Sequence, residues 1–126
     1  MDFTFAGGCI RLTDDGPQWH INTRHTTVGF DTSVEPEITA AGDIYVSLVD
    51  TLDIVSLMVN VDETLAEKGV WVGGSGGVSG VTIKMRKNGA TNIPLDLNNS
   101  SDYASVKGAY SNLWLFLLRV AGTEEG

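Results

Sequence analysis

The stretch VTIKMRKNGATNIPL, residues 81–95, decides the fold class of this chain of 126 residues. Its first six residues alternate: the odd positions Val81, Ile83 and Met85 are apolar, and the even positions between them are polar. A period of two is typical of a β-strand that buries one face and leaves the other in water. The sequence therefore predicts a half-buried strand over 81–86, with a turn directly after it.

The type of this turn is predicted from the pairing that it must produce. A two-residue turn at Asn88-Gly89 would pair apolar positions with polar ones. A three-residue loop over 87–89, with Gly89 as a left-handed bulge residue, instead opposes Ile83 to Ile93. The bulged loop is therefore predicted. Pro94 then points outward on a strand at or near an edge, because proline has no N–H to donate to a ladder.

Similar short runs, rich in Val, Ile, Thr and aromatic residues, recur along the whole chain and favour an all-β domain. Strands are predicted over 3–5, 9–12, 18–22, 26–30, 44–49, 54–61, 70–72, 105–109 and 112–120, besides the hairpin. The odd positions of 54–61 are expected to face the core. So many short strands favour two packed sheets, and the expected fold is a single antiparallel β-sandwich domain of jelly-roll type over 1–126. At most one short helix is expected, near 62–68, between Asp62 as N-cap and Gly69 as left-handed terminator.

The charge of the chain limits its partners. Eight Lys and Arg against sixteen Asp and Glu give a net charge of −8, and no basic residue lies between Arg24 and Lys68. Such a surface repels phosphate backbones, so nucleic acid is not an expected partner. The longest apolar run, 113–118, is far shorter than the roughly 20 residues of a membrane-spanning helix, and no membrane span or secretory signal is expected. Cys9 is expected to pack as a small hydrophobic residue.

Two patterns have the spacing of chemical sites but lack the context. Gly73, Ser75 and Gly77 have the G-x-S-x-G spacing of a nucleophile elbow, yet a strand follows them instead of a helix, and no histidine comes later. His20 and His25 are an odd number of residues apart, which places them on opposite faces of an extended strand. The sequence therefore predicts a protein that is not an enzyme, with no catalytic residue, cofactor or metal centre.

A third pattern leaves two interpretations open. Oxygen-bearing side chains recur at alternate positions, as at the start of a calcium loop: Asp96, Asn98, Ser100 and Asp102. The sixth position lacks the glycine of an EF-hand, and the twelfth, Lys107, lacks its glutamate. The segment is either a loop that binds a cation or a polar turn.

The last predicted strand has no alternation, since 113–118 reads LWLFLL. Both of its faces are therefore expected to leave water. Either the chain's own loops or helix cover the outer face, or that face meets another subunit, because large apolar patches are uncommon on monomers. The candidate interface residues are Leu113, Leu115, Phe116 and Leu117.

The glycine-rich stretch before residue 81 is predicted to be a loop that joins two strands and lets a ligand or partner approach the backbone. The candidate residues of this loop are Gly74, Ser75 and Gly76, together with the aromatic side chains of Trp71 and Tyr103. Exposed aromatic residues would also suit a carbohydrate-binding module, which is the alternative function.

Three segments give the chain its resemblance to small bacteriophage virion proteins: the start MDFTFAGGCIRL, the connector GGSGGVSG and the closing strand SNLWLFLLRV. In texture they are similar to β-sandwich modules of tail fibres, tail tips and capsid decoration proteins. The resemblance implies a non-enzymatic structural protein, located on the virion. It also implies a homo-oligomer, expected to be a trimer, with other virion proteins and a host-surface glycan as further partners.

Overall fold

The computed structural model describes residues 3–12, 19–22, 24–50, 52–87, 93–106 and 111–121. Within these ranges the chain forms nine strands and two helices. In chain order they are β1 (Phe3–Leu12), β2 (Trp19–Ile21), β3 (Glu37–Ile38), β4 (Ile44–Ser47), β5 (Leu52–Val61), α1 (Glu63–Glu67), β6 (Val70–Gly76), β7 (Gly80–Lys87), β8 (Ile93–Pro94), α2 (Ser100–Val106) and β9 (Ser111–Ala121).

The strands form two antiparallel sheets. Sheet 1 has the strand order β2-β1-β9-β5, and sheet 2 has the order β3-β4-β7-β6, with β8 also pairing with β7. Apolar side chains of both sheets make one core, which includes Ile10, Ile44, Ile83, Leu115 and Leu117. The prediction of an all-β chain is confirmed at this level.

Strand β9 lies at the centre of sheet 1 and alternates in burial despite its apolar sequence. It pairs with β1 along ten residues on one side and with β5 on the other. Leu113, Leu115 and Leu117 are at most 1% exposed, whereas Phe116 and Leu118 are 41% and 37% exposed on the opposite face. The core thus takes only half of the apolar residues of β9.

The glycine-rich stretch is a strand and not a loop, which corrects the prediction for Gly74 to Gly76. It forms most of β6, and only residues 77–79 make the turn to β7. A Cβ on Gly74 would lie 2.9 Å from Cδ2 of Leu57, and one on Gly76 would overlap Cδ1 of Ile54. These two glycines therefore face the core, where they let β6 approach β5 of the other sheet.

The segment around Gly29 connects the sheets on the side away from β5 and β6. Val28 exchanges two backbone hydrogen bonds with Gly7 of β1, and the Gly29 carbonyl accepts one from Val49 N at 2.9 Å. Gly29 has a φ of 81°, in the left-handed region that favours glycine. The strand predicted over 26–30 is instead two single bridges, Val28 with Gly7 and Phe30 with Leu48.

The β7–β8 hairpin has a different register from the prediction. Lys87 pairs with Ile93, so the loop is not the three-residue bulge over 87–89, and its tip lies outside the described residues. Ile83 pairs with Ile44 instead of Ile93, because β4 occupies that part of the edge of β7. The observed register of β8 against β7 differs from the predicted one by an even number of residues. Because side chains alternate with a period of two, Leu95 still faces the core. Pro94 is exposed, as predicted.

A bulge corrects the predicted burial of β5. The register of β5 against β9 shifts between Ile54 and Ser56, which moves Val55 out of the alternation. Val55 is 52% exposed, although its odd number predicted that it would be buried. Leu57 and Val59, beyond the bulge, pack against the core as expected.

Helix α1 has the predicted ends, but α2 is unexpected. The Asp62 carboxylate accepts from Leu65 N at the start of α1, and Gly69 follows with a φ of 72°. The predicted strand over 105–109 is wrong where it is described, because residues 105 and 106 belong to α2. Tyr103 and Val106 are three positions apart, and both lie on the buried side of this helix.

The side chain of Arg119 is buried at the end of the space between the sheets and is 1% exposed. Its guanidinium donates hydrogen bonds of 2.9–3.3 Å to four backbone carbonyls, those of Val49, Asp50, Leu52 and Val78. Val49 and Asp50 belong to the connection from β4 to β5, Leu52 is the first residue of β5, and Val78 belongs to the β6–β7 turn. One guanidinium on β9 therefore hydrogen-bonds to two reversals of the chain that are far apart in the sequence.

We expect Arg119→Met to lower the free energy of unfolding by about 3 kcal/mol, because four partly buried carbonyls lose their charged donor. Urea unfolding measures the change. Arg86→Met makes the same chemical change at an exposed position and should cost less than about 0.5 kcal/mol. Equal losses in the two variants would contradict the role assigned to Arg119.

A second prediction compares two glycines of one hairpin. A Cβ on Gly80 would overlap the Tyr45 ring and lie 2.7 Å from the Val46 carbonyl oxygen, whereas a Cβ on Gly73 would meet nothing within 4 Å. Gly80→Ala should therefore destabilise the fold by about 1–3 kcal/mol. Gly73→Ala should be neutral or stabilise it by up to about 1 kcal/mol. Urea unfolding distinguishes them, and a destabilised Gly73→Ala would contradict the geometry.

Candidate functional site

The predicted interface residues are divided between the core and the surface. Leu113, Leu115 and Leu117 are core residues, so their side chains are not available to another subunit. Phe116 faces outward. The absence of alternation in the sequence concealed this division, which follows from the pairing of β9 on both sides.

The outer face of sheet 1 presents five large apolar side chains on three adjacent strands. These residues, called the apolar face, are Phe3, Phe5, Met58, Phe116 and Leu118, and they are 37–56% exposed. The register explains their proximity, since Phe5 pairs with Leu118 and Met58 pairs with Phe116. The rings of Phe5 and Phe116 are 6.1 Å apart at their centroids.

A shallow depression of about 280 Å³ continues the apolar face toward the segment that carries Val28. The His25 ring stands edge-on to Trp114, with centroids 4.4 Å apart, and half covers that side chain. The chain's own loop therefore covers Trp114 but leaves Phe116 and Phe5 open. The apolar last strand was expected to be covered either by the chain itself or by another subunit. Coverage by the chain itself accounts for one end of the apolar face only.

The residues predicted as a ligand loop do not form one site. Trp71 and Ser75 are exposed on the outer face of sheet 2, while Gly74 and Gly76 face inward. Tyr103 lies in α2 and is only 7% exposed, so it cannot serve as an exposed ligand-stacking residue. Of the five residues, Trp71, Gly74 and Ser75 line a common cleft, whereas Gly76 and Tyr103 do not line it.

Trp71 borders a cleft of about 310 Å³ on the outer face of sheet 2. This sheet 2 cleft is lined by Trp71, Val72, Gly73, Gly74, Ser75, Lys84 and Arg86. A second depression of about 290 Å³ adjoins it, because Lys84 and Arg86 line both, and its far side carries Asp43 and Asp96. The volume lies at the lower end of the range of small-ligand sites, roughly 300–1,000 Å³.

The two cations of the cleft differ in their partners. Lys84 Nζ lies 2.8 Å from Asp43 Oδ2, which fixes the ammonium at the boundary of the two depressions. Arg86 is exposed and makes no ion pair with any other residue that the structure describes. Its guanidinium is therefore the cation of this face that can bind an anion without breaking an existing pair.

Sequence reasoning missed Gly73, Lys84 and Arg86 as site residues. A signal for them was present, because the polar positions of VTIKMR define the outer face of β7. Extending the same alternation through WVGGSG would have placed Trp71 beside these cations. Because the glycines were predicted to form a loop, no strand alternation was predicted through residues 73–76.

The patterns that resembled chemical sites have structural roles. Ser75 lies within strand β6 and not at a strand–helix turn. His20 contacts Glu35 through its Nδ1. In the oxygen-rich segment, Asp96 Oδ1 accepts from Asn98 N and Asp102 Oδ2 accepts from Asp96 N, at 2.9 Å each, which supports the polar-turn interpretation.

The described residues contain neither a metal-binding cluster nor a membrane-spanning helix. No group of three His, Cys, Asp or Glu side chains among them is arranged to hold a metal ion. None of the helices described is both long enough and apolar enough to cross a membrane.

A buried polar cluster connects the strands of sheet 1 to α1. Asp62 Oδ2 accepts from Asn112 N at 2.8 Å, and Asn112 Oδ1 accepts from Asn22 Nδ2 at 3.1 Å. The Cys9 thiol lies 3.5 Å from the same Asn112 oxygen and is fully buried, as expected for a small core residue. Burial, with a smaller contribution from the Asp62 charge, raises the pKa of Cys9 to about 11.

Comparison of the chain with protein-family models, with curated proteins and with solved structures found no match. The geometry of the two outer faces is therefore the basis for assigning a function.

The raised pKa of Cys9 predicts a loss of stability at alkaline pH. The unfolded thiol ionises near pH 9.0 and the buried thiol near 11, so the unfolded chain releases its proton first. The contribution to stability is complete below pH 9 and falls by on the order of 2–3 kcal/mol as the pH rises to 11. Urea unfolding across this range should show a steeper decline for wild type than for Cys9→Ala. Parallel declines would contradict it.

Proposed function

We propose that this protein is a non-enzymatic structural protein of a bacteriophage particle, where it assembles as a homo-oligomer through the apolar face. The observation that carries the proposal is the alignment of five exposed, large apolar side chains on adjacent strands of sheet 1. Scattered exposed apolar residues are ordinary on a soluble protein, but a contiguous set marks an interaction surface.

The strand connections support a sandwich of jelly-roll type, which is the fold expected from the sequence. The long strands β1 and β9 lie side by side in sheet 1, although they stand at opposite ends of the described chain. Between them, the chain passes from β4 in sheet 2 to β5 in sheet 1 and returns to β6 in sheet 2. Alternation between two sheets is typical of Greek-key and jelly-roll domains.

A second copy of the chain is the partner that suits the apolar face. The five side chains carry no charge, so self-association through them buries no charged side chain of this set. Aromatic residues and Met are the types enriched in protein interfaces, and both occur on this face. The acidic remainder of the surface keeps assemblies from sticking together elsewhere.

The oligomer is tested by substituting Met58, which is 56% exposed in the apolar face on β5, an edge strand of sheet 1. We expect Met58→Glu to be a single chain at concentrations where the wild type is an oligomer, because a carboxylate would be buried in the interface. Ile93→Glu is the matched control, since Ile93 is 50% exposed on sheet 2 and should not affect assembly.

Sedimentation velocity gives the masses, and the wild-type mass distinguishes the expected trimer from a dimer. Circular dichroism of each variant verifies that the fold is retained. A wild type that stays a single chain at high concentration would refute assembly through the apolar face. The location on a virion is tested separately by the neighbouring genes: capsid, portal or tail genes support it, and a metabolic operon opposes it.

The sheet 2 cleft favours a second function, binding of a glycan at the host surface. Trp71 is 59% exposed beside polar side chains, the arrangement by which aromatic rings stack on sugars while hydroxyl groups take hydrogen bonds. The cleft lies on the other sheet from the apolar face, so an assembled particle could present it outward.

A further inference from the structure

We propose that the sheet 2 cleft binds a carboxylated sugar unit of an acidic glycan, with Trp71 stacking on the sugar ring and Arg86 binding its carboxylate. This inference rests on the proposed glycan-binding function and specifies its ligand and its residues.

The register of the β6–β7 hairpin brings the required groups to one face. Trp71 pairs with Arg86, and Ser75 pairs with Thr82 two rungs beyond the Gly73–Lys84 pair. Side chains at alternate positions share a face of a sheet, so the aromatic ring, the two cations and the hydroxyl groups all lie on the outer side. A flat aromatic surface beside polar groups is thus held on paired strands and not on a loop.

Gly73 has no structural reason to be glycine. A Cβ there would meet nothing within 4 Å, and Gly73 is not among the described glycines with a positive φ. In contrast, Gly74 and Gly76 face core side chains that leave little room. Glycine inside a strand costs about 0.5–1 kcal/mol, and where packing does not require it, it often marks the close approach of a ligand. The missing side chain leaves the floor of the cleft open beside Trp71.

The charge of the cleft selects a carboxylate. Arg86 has no acidic partner among the described residues, and a guanidinium binds a carboxylate through two parallel hydrogen bonds. Asp43 and Asp96 line the adjoining depression, where they repel a densely charged polyphosphate but can accept hydrogen bonds from sugar hydroxyl groups. A ligand with one carboxylate and several hydroxyl groups per ring matches this distribution, and a nucleic acid does not.

The ligand test uses two pairs of probes that differ in the carboxylate. Trigalacturonic acid is compared with its fully methyl-esterified form, and sialyllactose with its methyl ester, by titration followed in ¹H–¹⁵N NMR spectra. We expect at least one acidic probe to bind about tenfold or more tightly than its neutral counterpart. The shifted resonances should include the Trp71 indole N–H.

Three variants assign the binding to the cleft. Arg86→Gln should weaken binding of the acidic probe about tenfold, and Gly73→Val should abolish it by filling the floor without destabilising the strand. Lys87→Gln is the matched control: Lys87 is an exposed neighbour that loses the same charge but does not line the cleft. Urea unfolding shows whether each variant remains folded.

The outcomes separate this inference from the function on which it rests. Equal binding of acidic and neutral probes, unchanged in Arg86→Gln, would overturn the carboxylate assignment and leave glycan binding intact. No binding of any probe would overturn both. Equal weakening by Lys87→Gln and Arg86→Gln would show a general attraction of charge and overturn the specific site. Tighter binding of a single-stranded oligothymidylate than of either acid would also overturn the assignment.

Discussion

The buried guanidinium of Arg119 is the constraint on which the rest of the structure depends. An arginine is almost never fully buried unless it is paired, and here four backbone carbonyls accept hydrogen bonds from Nη1 and Nη2, while Nε is buried without a partner among the described residues. Those carbonyls belong to the β4–β5 connection, the first residue of β5 and the β6–β7 turn, so the last described strand fixes two earlier reversals of the chain. Asp50 adopts a φ of 61° within the first of them, a conformation that costs energy unless its surroundings hold it.

Close approach of the sheets is the second constraint, and it separates glycines that look alike in the sequence. Gly74 and Gly76 face the core, where β6 packs on β5, whereas Gly73 faces solvent beside Trp71. The same strand therefore closes the core with one set of positions and opens a cleft with the other. Because side chains alternate between the two faces of β6, the same strand both packs against the other sheet and forms part of an accessible outer surface.

The two outer faces have complementary character for a component of an assembly. Sheet 1 presents uncharged apolar side chains suited to a second copy, and sheet 2 presents Trp71 with two cations on an otherwise acidic protein. Because the faces lie on different sheets, assembly through one leaves the other free. This separation links the proposed structural role to the proposed glycan contact without requiring the same residues for both.

The sequence by itself determined the class of fold and several local features. The period-two alternation of 81–86, the outward Pro94 and the ends of α1 at Asp62 and Gly69 depend on neighbours within a few residues, and each was predictable. Only the tertiary structure decided the rest: which face of β9 is buried, the register of Ile93, the inward direction of Gly74 and the burial of Tyr103. Those features depend on which strand occupies an adjacent edge, as β4 does beside Ile83, and such long-range pairing leaves no local pattern in the sequence.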